Sequence, residues 1–131
     1  MNNMNHKNMK EFYKILLIFI IFIGLDFIYL NSIKKMFNNQ IKLIQGSAIQ
    51  INLFAAFLCY ISLVFGLYYF IIKEKKTIFQ AFLLGLVIYT VYEFTNWSLF
   101  TKWKPLTVLI DSLWGGILFM LTTAIVYQVY G

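Results

Sequence analysis

Residues 12–31 read FYKILLIFIIFIGLDFIYLN, an apolar run in which Lys14 and Asp26 are the only charged side chains. As an α-helix this run would be about 30 Å long, which is the thickness of the hydrocarbon core of a bilayer. The run is longer than the apolar part of a secretory signal peptide, and no small-residue cleavage site follows it. We therefore interpret it as a membrane-spanning helix that the protein retains.

Three further apolar runs of similar length follow in the chain, at residues 51–72, 78–100 and 106–128. The chain is 61% hydrophobic and only 12% charged, whereas soluble domains are nearer to half apolar and a quarter charged. A chain of 131 residues cannot bury so much apolar surface in its own core, so the excess needs lipid. The sequence predicts an all-α membrane protein: a four-helix transmembrane up-and-down bundle over residues 12–130, after a polar N-terminal tail at 1–11.

Residues 32–45 have a different pattern from the four apolar runs. Apolar side chains recur there at helical spacing, and lysine and asparagine fill the other face: Ile33, Met36, Phe37, Ile41 and Ile44 form the apolar stripe. This spacing predicts a short amphipathic helix between helices 1 and 2. Two placements remain open: the helix lies in the membrane interface with its lysines toward the headgroups, which is our prediction, or it packs over the mouth of the bundle.

The charged residues restrict the kinds of partner. Eleven lysines against five acidic residues give a formal charge of +6, and arginine is absent. The lysines lie between the apolar runs, which suits anionic headgroups and topology signals better than nucleic acid. Six lysines on the side of the N-terminus against five on the other slightly favour both termini in the cytosol. Cys59 and His6 are the only residues of their types, which excludes a zinc site built from His and Cys within one chain.

Three acidic residues lie inside the apolar runs: Asp26 in helix 1, Glu93 in helix 3 and Asp111 in helix 4. A carboxylate at the centre of a membrane helix costs about 2.5–3.5 kcal/mol on insertion scales. Helices 1 and 3 run in one direction and helix 4 returns, so all three acids lie about 7–11 Å below the same membrane face. We expect them to converge on a one-sided polar pocket, because facing lipid would be costly.

Other polar side chains share faces with these acids by helical spacing. They are Tyr89 and Asn96 with Glu93, Trp114 with Asp111, and Tyr29 with Asp26. Together these seven residues are the predicted site for a ligand, a proton or a cation. Gly115 and Gly116 would let a neighbouring helix come close beside it.

The same stretches resemble a known family. Residues 92–96 (YEFTN), Trp103, Pro105 and residues 108–115 (VLIDSLWG) resemble the domain of unknown function 2177 family of small predicted membrane proteins. Residues 25–30 (LDFIYL), Phe37 and Gln40 are similar to its pattern earlier in the chain. Three positions depart from that pattern: Glu93 stands for an Asp, Tyr29 for a Trp, and Lys104 separates Trp103 from Pro105. The resemblance implies a membrane fold and key acidic residues, and it implies no activity.

Three classes of function remain open on the residues. The first is a module that binds or passes a proton, a cation or a small cationic solute; an all-oxygen ligand set would suit Ca²⁺ or Mg²⁺ better than zinc. The second is an intramembrane lipid-modifying enzyme that uses the carboxylates as acid and base, although the chain has no recognised catalytic motif. The third is a structural or assembly subunit. The expected partners are the lipid bilayer and either a second copy or another membrane subunit; no cofactor is implied.

Overall fold

The computed structural model describes residues 2–130, with side chains from residue 5 onward, and all regular structure in that part of the chain is helical. Its four helices are α1 (Asn2–Gln45), α2 (Leu53–Leu67), α3 (Ile78–Leu99) and α4 (Pro105–Tyr130). A wider π-helical turn, Tyr68–Ile72, continues the end of α2. Residue 1 of the predicted N-terminal tail lies outside the described residues.

Local side-chain chemistry starts three of the helices. The Asn52 side chain accepts a hydrogen bond from the Ala55 backbone N–H at the start of α2. Thr77 and Gln80 form a reciprocal capping box at the start of α3, which satisfies two backbone donors at the helix end. Pro105 is the first residue of α4, a position where its missing N–H and fixed φ cost little.

Helix α1 differs from the sequence interpretation in its continuity. It joins the predicted tail, the first apolar run and the amphipathic segment 32–45 into one helix of 44 residues. Neither glycine nor proline occurs between Leu25 and Gln45, so the backbone has no stop signal after the apolar run. At 1.5 Å per residue the helix is about 66 Å long, roughly twice the hydrocarbon thickness of a bilayer. It therefore extends well beyond the hydrocarbon core.

The amphipathic segment packs over the mouth of the bundle, which is the second of the two placements left open by the sequence. Gln40 is buried there, and its Oε1 accepts hydrogen bonds from the Lys104 backbone N–H (3.1 Å) and the Thr107 hydroxyl (2.9 Å). The Phe37 ring lies edge-on to the Trp103 ring, with the centroids 6.0 Å apart. These contacts fix the end of α1 against the α3–α4 connection.

Helix α4 is the central helix of the bundle. Half of its apolar stretch is buried, against 17–22% in each of the other three helices. It packs along α3 and along α1, whereas α2 approaches α1 more closely than it approaches α3 within the described residues. The core at the crossing is made of aliphatic and aromatic side chains that include Ile18, Phe22, Leu67, Leu118 and Phe119.

The contact between α3 and α4 depends on glycine. A Cβ atom at Gly85 would lie 2.2 Å from the Gly115 carbonyl oxygen, and one at Gly115 would lie 2.2 Å from the Tyr89 ring. The two backbones therefore approach more closely than any larger residue would permit, as small residues allow between membrane helices. This approach fixes the rotation of α3 against α4.

The outer surfaces of the helices are apolar. Many large side chains there are exposed in the isolated chain, among them Ile20, Leu53, Phe57 and Val91, and all four helices are long and apolar enough to cross a membrane. Helices satisfy their own backbone hydrogen bonds, so they can present such surfaces to lipid. The protein is a multi-pass membrane protein with a four-helix bundle, and this confirms the predicted fold class.

Candidate functional site

The structure brings Asp26 of α1, Glu93 of α3 and Asp111 of α4 into one buried region of the bundle, which we call the carboxyl cluster. Glu93 is fully buried, and Asp26 and Asp111 are each 7% exposed. Isolated charges in such surroundings are costly, so the partners of each oxygen decide what the cluster can do.

Asp26 accepts hydrogen bonds from two other helices. Its Oδ2 accepts from the Tyr60 hydroxyl of α2 at 2.5 Å, and its Oδ1 accepts from the Trp114 indole Nε1 of α4 at 3.0 Å. Tyr60 packs edge-on against Phe22, with the ring centroids 6.2 Å apart, which holds its hydroxyl in place. One carboxylate thus connects three helices.

An aromatic pair links Asp26 to Asp111. The Tyr29 hydroxyl donates to Asp111 Oδ1 at 3.0 Å. The Tyr29 ring is stacked on the Trp114 ring, with the centroids 4.6 Å apart and the planes at 18°. Because Trp114 donates to Asp26, the two acids are joined through stacked rings instead of touching each other.

Glu93 and Asp111 are the pair of acids in direct contact, since their carboxyl groups lie within hydrogen-bonding reach of each other. Glu93 Oε1 accepts from the Trp103 indole Nε1 at 2.9 Å. Glu93 Oε2 is buried and has no hydrogen-bond donor among the described residues. A buried oxygen in that state normally has an unseen partner, and the neighbouring carboxyl can supply one if it carries a proton.

A cavity of about 420 Å³ lies beside the cluster, and we call it the acidic cavity. Asp26 and Asp111 line it together with mainly aromatic and aliphatic side chains of α1, α2 and α3. Three of its lining residues, Leu30, Cys59 and Tyr92, are exposed on the outer surface of the helices. These three residues come from α1, α2 and α3, so the cavity reaches the outer surface of the bundle.

The membrane face of the cluster is covered by side chains. Trp103 is 4% exposed and Gln40 is 1% exposed; Trp103 donates to Glu93, and Gln40 accepts from Lys104 and Thr107. The sequence predicts a one-sided pocket, and its opening to this face stays a prediction. Trp103 and Gln40 are buried because the continuous α1 helix places Phe37 and Gln40 against the α3–α4 connection.

The other four predicted site residues differ in their contacts with the acids. Tyr29 and Trp114 bond directly to the acids, and Tyr89 lines the acidic cavity and packs on Gly115. Asn96 has no side-chain hydrogen bond to any of the three acids in the described part of the chain. Its side chain lies near the Tyr92 hydroxyl instead. The rotation of α3, set by the glycine contact, brings Glu93 inward and leaves Asn96 beside it.

Two side chains that donate to the acids, Tyr60 and Trp103, were not predicted to be site residues. Tyr60 lies in α2, in a run with no acidic residue to draw attention to it, and Trp103 lies in the connection between α3 and α4. A signal was present for Trp103, because it belongs to the stretch that resembles the known family. For Tyr60 the signal was weaker: few side chains in the middle of α2 have hydrogen-bonding atoms.

The arrangement is poorly suited to a protein-only metal site. No group of three or more His, Cys, Asp or Glu side chains close enough to hold a metal ion occurs within residues 2–130. Ca²⁺ takes six to eight oxygen ligands and Mg²⁺ demands an octahedral set. The stacked Tyr29 and Trp114 rings keep the third carboxyl away from the other two.

Comparison with known proteins places the chain in a family. No curated protein and no solved structure matches it. The family model described as "Predicted membrane protein" matches residues 12–128, which includes all four apolar runs and every residue of the carboxyl cluster. The chain belongs to the domain of unknown function 2177 family of membrane proteins.

Proposed function

We propose that the protein binds an organic cation of the ammonium type in the acidic cavity, in exchange for a proton held between Glu93 and Asp111. One observation carries the proposal: two buried carboxyl groups line a mainly aromatic and aliphatic cavity whose lining includes residues exposed on the outer surface of the helices. An apolar cation in the bilayer can enter such a cavity without crossing water.

The walls of the acidic cavity favour an organic cation over a bare metal ion. Tyr29, Tyr60, Tyr89 and Tyr92 line the cavity, and aromatic faces attract ammonium groups with energies of about 0.5–2 kcal/mol. Asp26 and Asp111 supply negative charge at one side. A cavity of about 420 Å³ is within the size range of small-molecule sites, roughly 300–1,000 Å³.

The Glu93–Asp111 pair supports the exchange with a proton. Two carboxylates in contact in a low-dielectric interior repel each other strongly unless a proton or a cation lies with them. A single shared proton would also supply the donor that Glu93 Oε2 lacks. A bound ammonium group next to Asp111 would replace that proton as the compensating charge, and the proton would leave to water.

The test is a binding measurement on the purified protein in lipid nanodiscs, with benzyltrimethylammonium as the probe and neopentylbenzene as its neutral isostere. We expect the cation to bind and the isostere to bind far more weakly. Exchange with one proton requires the affinity for the cation to rise with pH, by at most about tenfold per pH unit. Calorimetry in two buffers of different ionisation enthalpy counts the released protons directly.

Amide variants separate a charged site from simple helix contacts. In Glu93→Gln the amide oxygen can still accept from Trp103, and the amide NH₂ can donate to Asp111, so the fold should be kept. We expect this variant to bind the cation without releasing a proton, and Asp111→Asn to lose binding. Glu74→Gln is the matched control, since Glu74 lies exposed in the connection between α2 and α3.

Two results would overturn the proposal. One is equal binding of the cation and its neutral isostere by the unmodified protein, or no binding of the cation. The other is cation affinity in Asp111→Asn equal to that of Glu74→Gln. In the second case the carboxyl groups would serve as hydrogen-bonded contacts between helices, which are worth about 0.6 kcal/mol on average.

A further inference from the structure

A second large cavity, of about 800 Å³, lies at the opposite end of the bundle from the carboxyl cluster. It is bounded by the N-terminal part of α1, the end of α2 and the end of α4. Four lysines line it, and we call it the basic cavity: they are Lys7, Lys14, Lys73 and Lys75. None of these residues takes part in the proposed function.

The positive charge in the basic cavity is largely uncompensated. Glu11 is the one acidic side chain among its described lining residues. One of its oxygens accepts from the Tyr68 hydroxyl, and the other lies 3.3 Å from Lys14 Nζ. Four positive charges therefore face one negative charge, an excess of three.

Helix dipoles do not account for this excess. Each helix end carries a partial charge equivalent to about half an elementary charge. The ends of α2 and α4 contribute about one negative charge together, and the nearby start of α3 removes about half of it. The excess positive charge in the cavity is several times larger than the dipoles can neutralise.

Specific contacts hold Lys14 and the α2–α3 connection at the cavity. Lys14 Nζ lies 5.5 Å from the centre of the Tyr130 ring, a cation–π arrangement. The Tyr127 hydroxyl donates to the Lys76 carbonyl at 2.6 Å, which ties the α2–α3 connection to α4. Within that connection Lys75 has a φ of 52°, a left-handed conformation that costs a lysine about 1–2 kcal/mol. This left-handed residue ends the helix, since the backbone N–H groups of Lys75 and Lys76 donate to the carbonyls of Ile72 and Ile71, and the turn places Lys75 at the cavity.

We propose that the basic cavity binds the phosphate group of an anionic phospholipid headgroup. Lysine ammonium groups bind phosphate as point charges, and basic pockets between membrane helices recognise such headgroups. Ile72 and Val126 form apolar parts of the lining, against which the glycerol region of a lipid can rest. The cavity lies where α1, α2 and α4 reach the membrane face, so a headgroup is already at the right depth.

The test is native mass spectrometry of the full chain released from nanodiscs that contain phosphatidylglycerol and phosphatidylcholine in equal amounts. We expect phosphatidylglycerol to be retained preferentially. The triple variant Lys7→Gln, Lys73→Gln, Lys75→Gln should lose this preference, by roughly fivefold in affinity per lysine, which corresponds to about 1 kcal/mol each. Replacing the same three lysines with arginine should keep it.

The matched control removes three lysines from the opposite membrane face: Lys34→Gln, Lys35→Gln and Lys102→Gln. This variant has the same net charge as the test variant and should retain phosphatidylglycerol. Equal retention by the two glutamine variants would overturn the proposal, as would equal retention of the two lipids by the unmodified chain. A separate arm adds millimolar inorganic phosphate without anionic lipid. Phosphate binding with no lipid preference would overturn the assignment to a headgroup.

Discussion

Gly85 of α3 faces the backbone of α4, and we predict that its replacement with alanine will force the two helices apart. The new Cβ would lie 2.2 Å from the Gly115 carbonyl oxygen and 2.7 Å from Phe119 Cγ. Ordinary van der Waals contact begins at 3.4 Å, so the gap must widen by about 1.2 Å, the difference between the two distances. The nearest obstacle is backbone, so rotation of a side chain cannot relieve the clash.

The expected loss of stability follows from this displacement. Overpacking a close helix contact costs about 1–3 kcal/mol, and an obstacle made of backbone belongs at the upper end of that range. Gly24→Ala and Gly66→Ala are matched controls, since no described atom lies within 4 Å of a Cβ at either position. Alanine there should gain up to about 1 kcal/mol from helix propensity. Gly85→Ala gains the same propensity, so this contribution cancels, and the difference between test and control should be the overpacking cost of about 2–3 kcal/mol.

The assay is reversible unfolding in mixed micelles, with sodium dodecyl sulfate as the denaturant and circular dichroism as the probe. The same variant also tests the site, because a shift of about 1 Å between α3 and α4 separates the carboxyl groups of Glu93 and Asp111. We expect Gly85→Ala to lose the proton release that accompanies cation binding. A Gly85→Ala variant as stable as Gly24→Ala would refute the close approach of α3 and α4.

Three further predictions concern the cover of the cluster and the topology. Trp103→Phe keeps an aromatic ring but removes the indole N–H that donates to Glu93. It should cost about 0.6–1.7 kcal/mol in the same unfolding assay. Gln40→Leu leaves two donors at the start of α4, the Lys104 backbone N–H and the Thr107 hydroxyl, without an acceptor and should cost about 1–3 kcal/mol; a loss of stability well below about 1 kcal/mol would contradict this. In a Cys59→Ser background, Lys10→Cys and Tyr130→Cys should react with an impermeant maleimide from the same side of the membrane. Reaction from opposite sides would contradict four crossings.

The packing of the amphipathic segment illustrates where sequence reasoning left a choice. The spacing of apolar residues in 32–45 predicts a helix with one apolar side, whatever that side contacts. Such an apolar face can pack equally well against the membrane interface or against another surface of the protein. The choice depends on whether Gln40 finds partners, and those partners, Lys104 and Thr107, are more than 60 residues away in the chain.

The placement of the polar residues of α3 shows the same limit. Tyr89, Glu93 and Asn96 share one side of the helix by spacing, yet Glu93 is buried against Asp111 whereas Asn96 lies beside Tyr92. One helical face is broad, and its rotation by a few tens of degrees decides which side chain points inward. That rotation is set by the contact of Gly85 with Gly115.

Local sequence patterns are enough to give the class of the protein and the number of spanning helices, and they predict a common depth for Asp26, Glu93 and Asp111. These properties are local: a bilayer sets the length of an apolar run, and 1.5 Å per residue converts position into depth. Only the packing of the helices shows which donors meet each acid and that α1 continues without a break. These properties depend on the rotation and spacing of whole helices, and hence on packing between residues far apart in the chain, which no local pattern records.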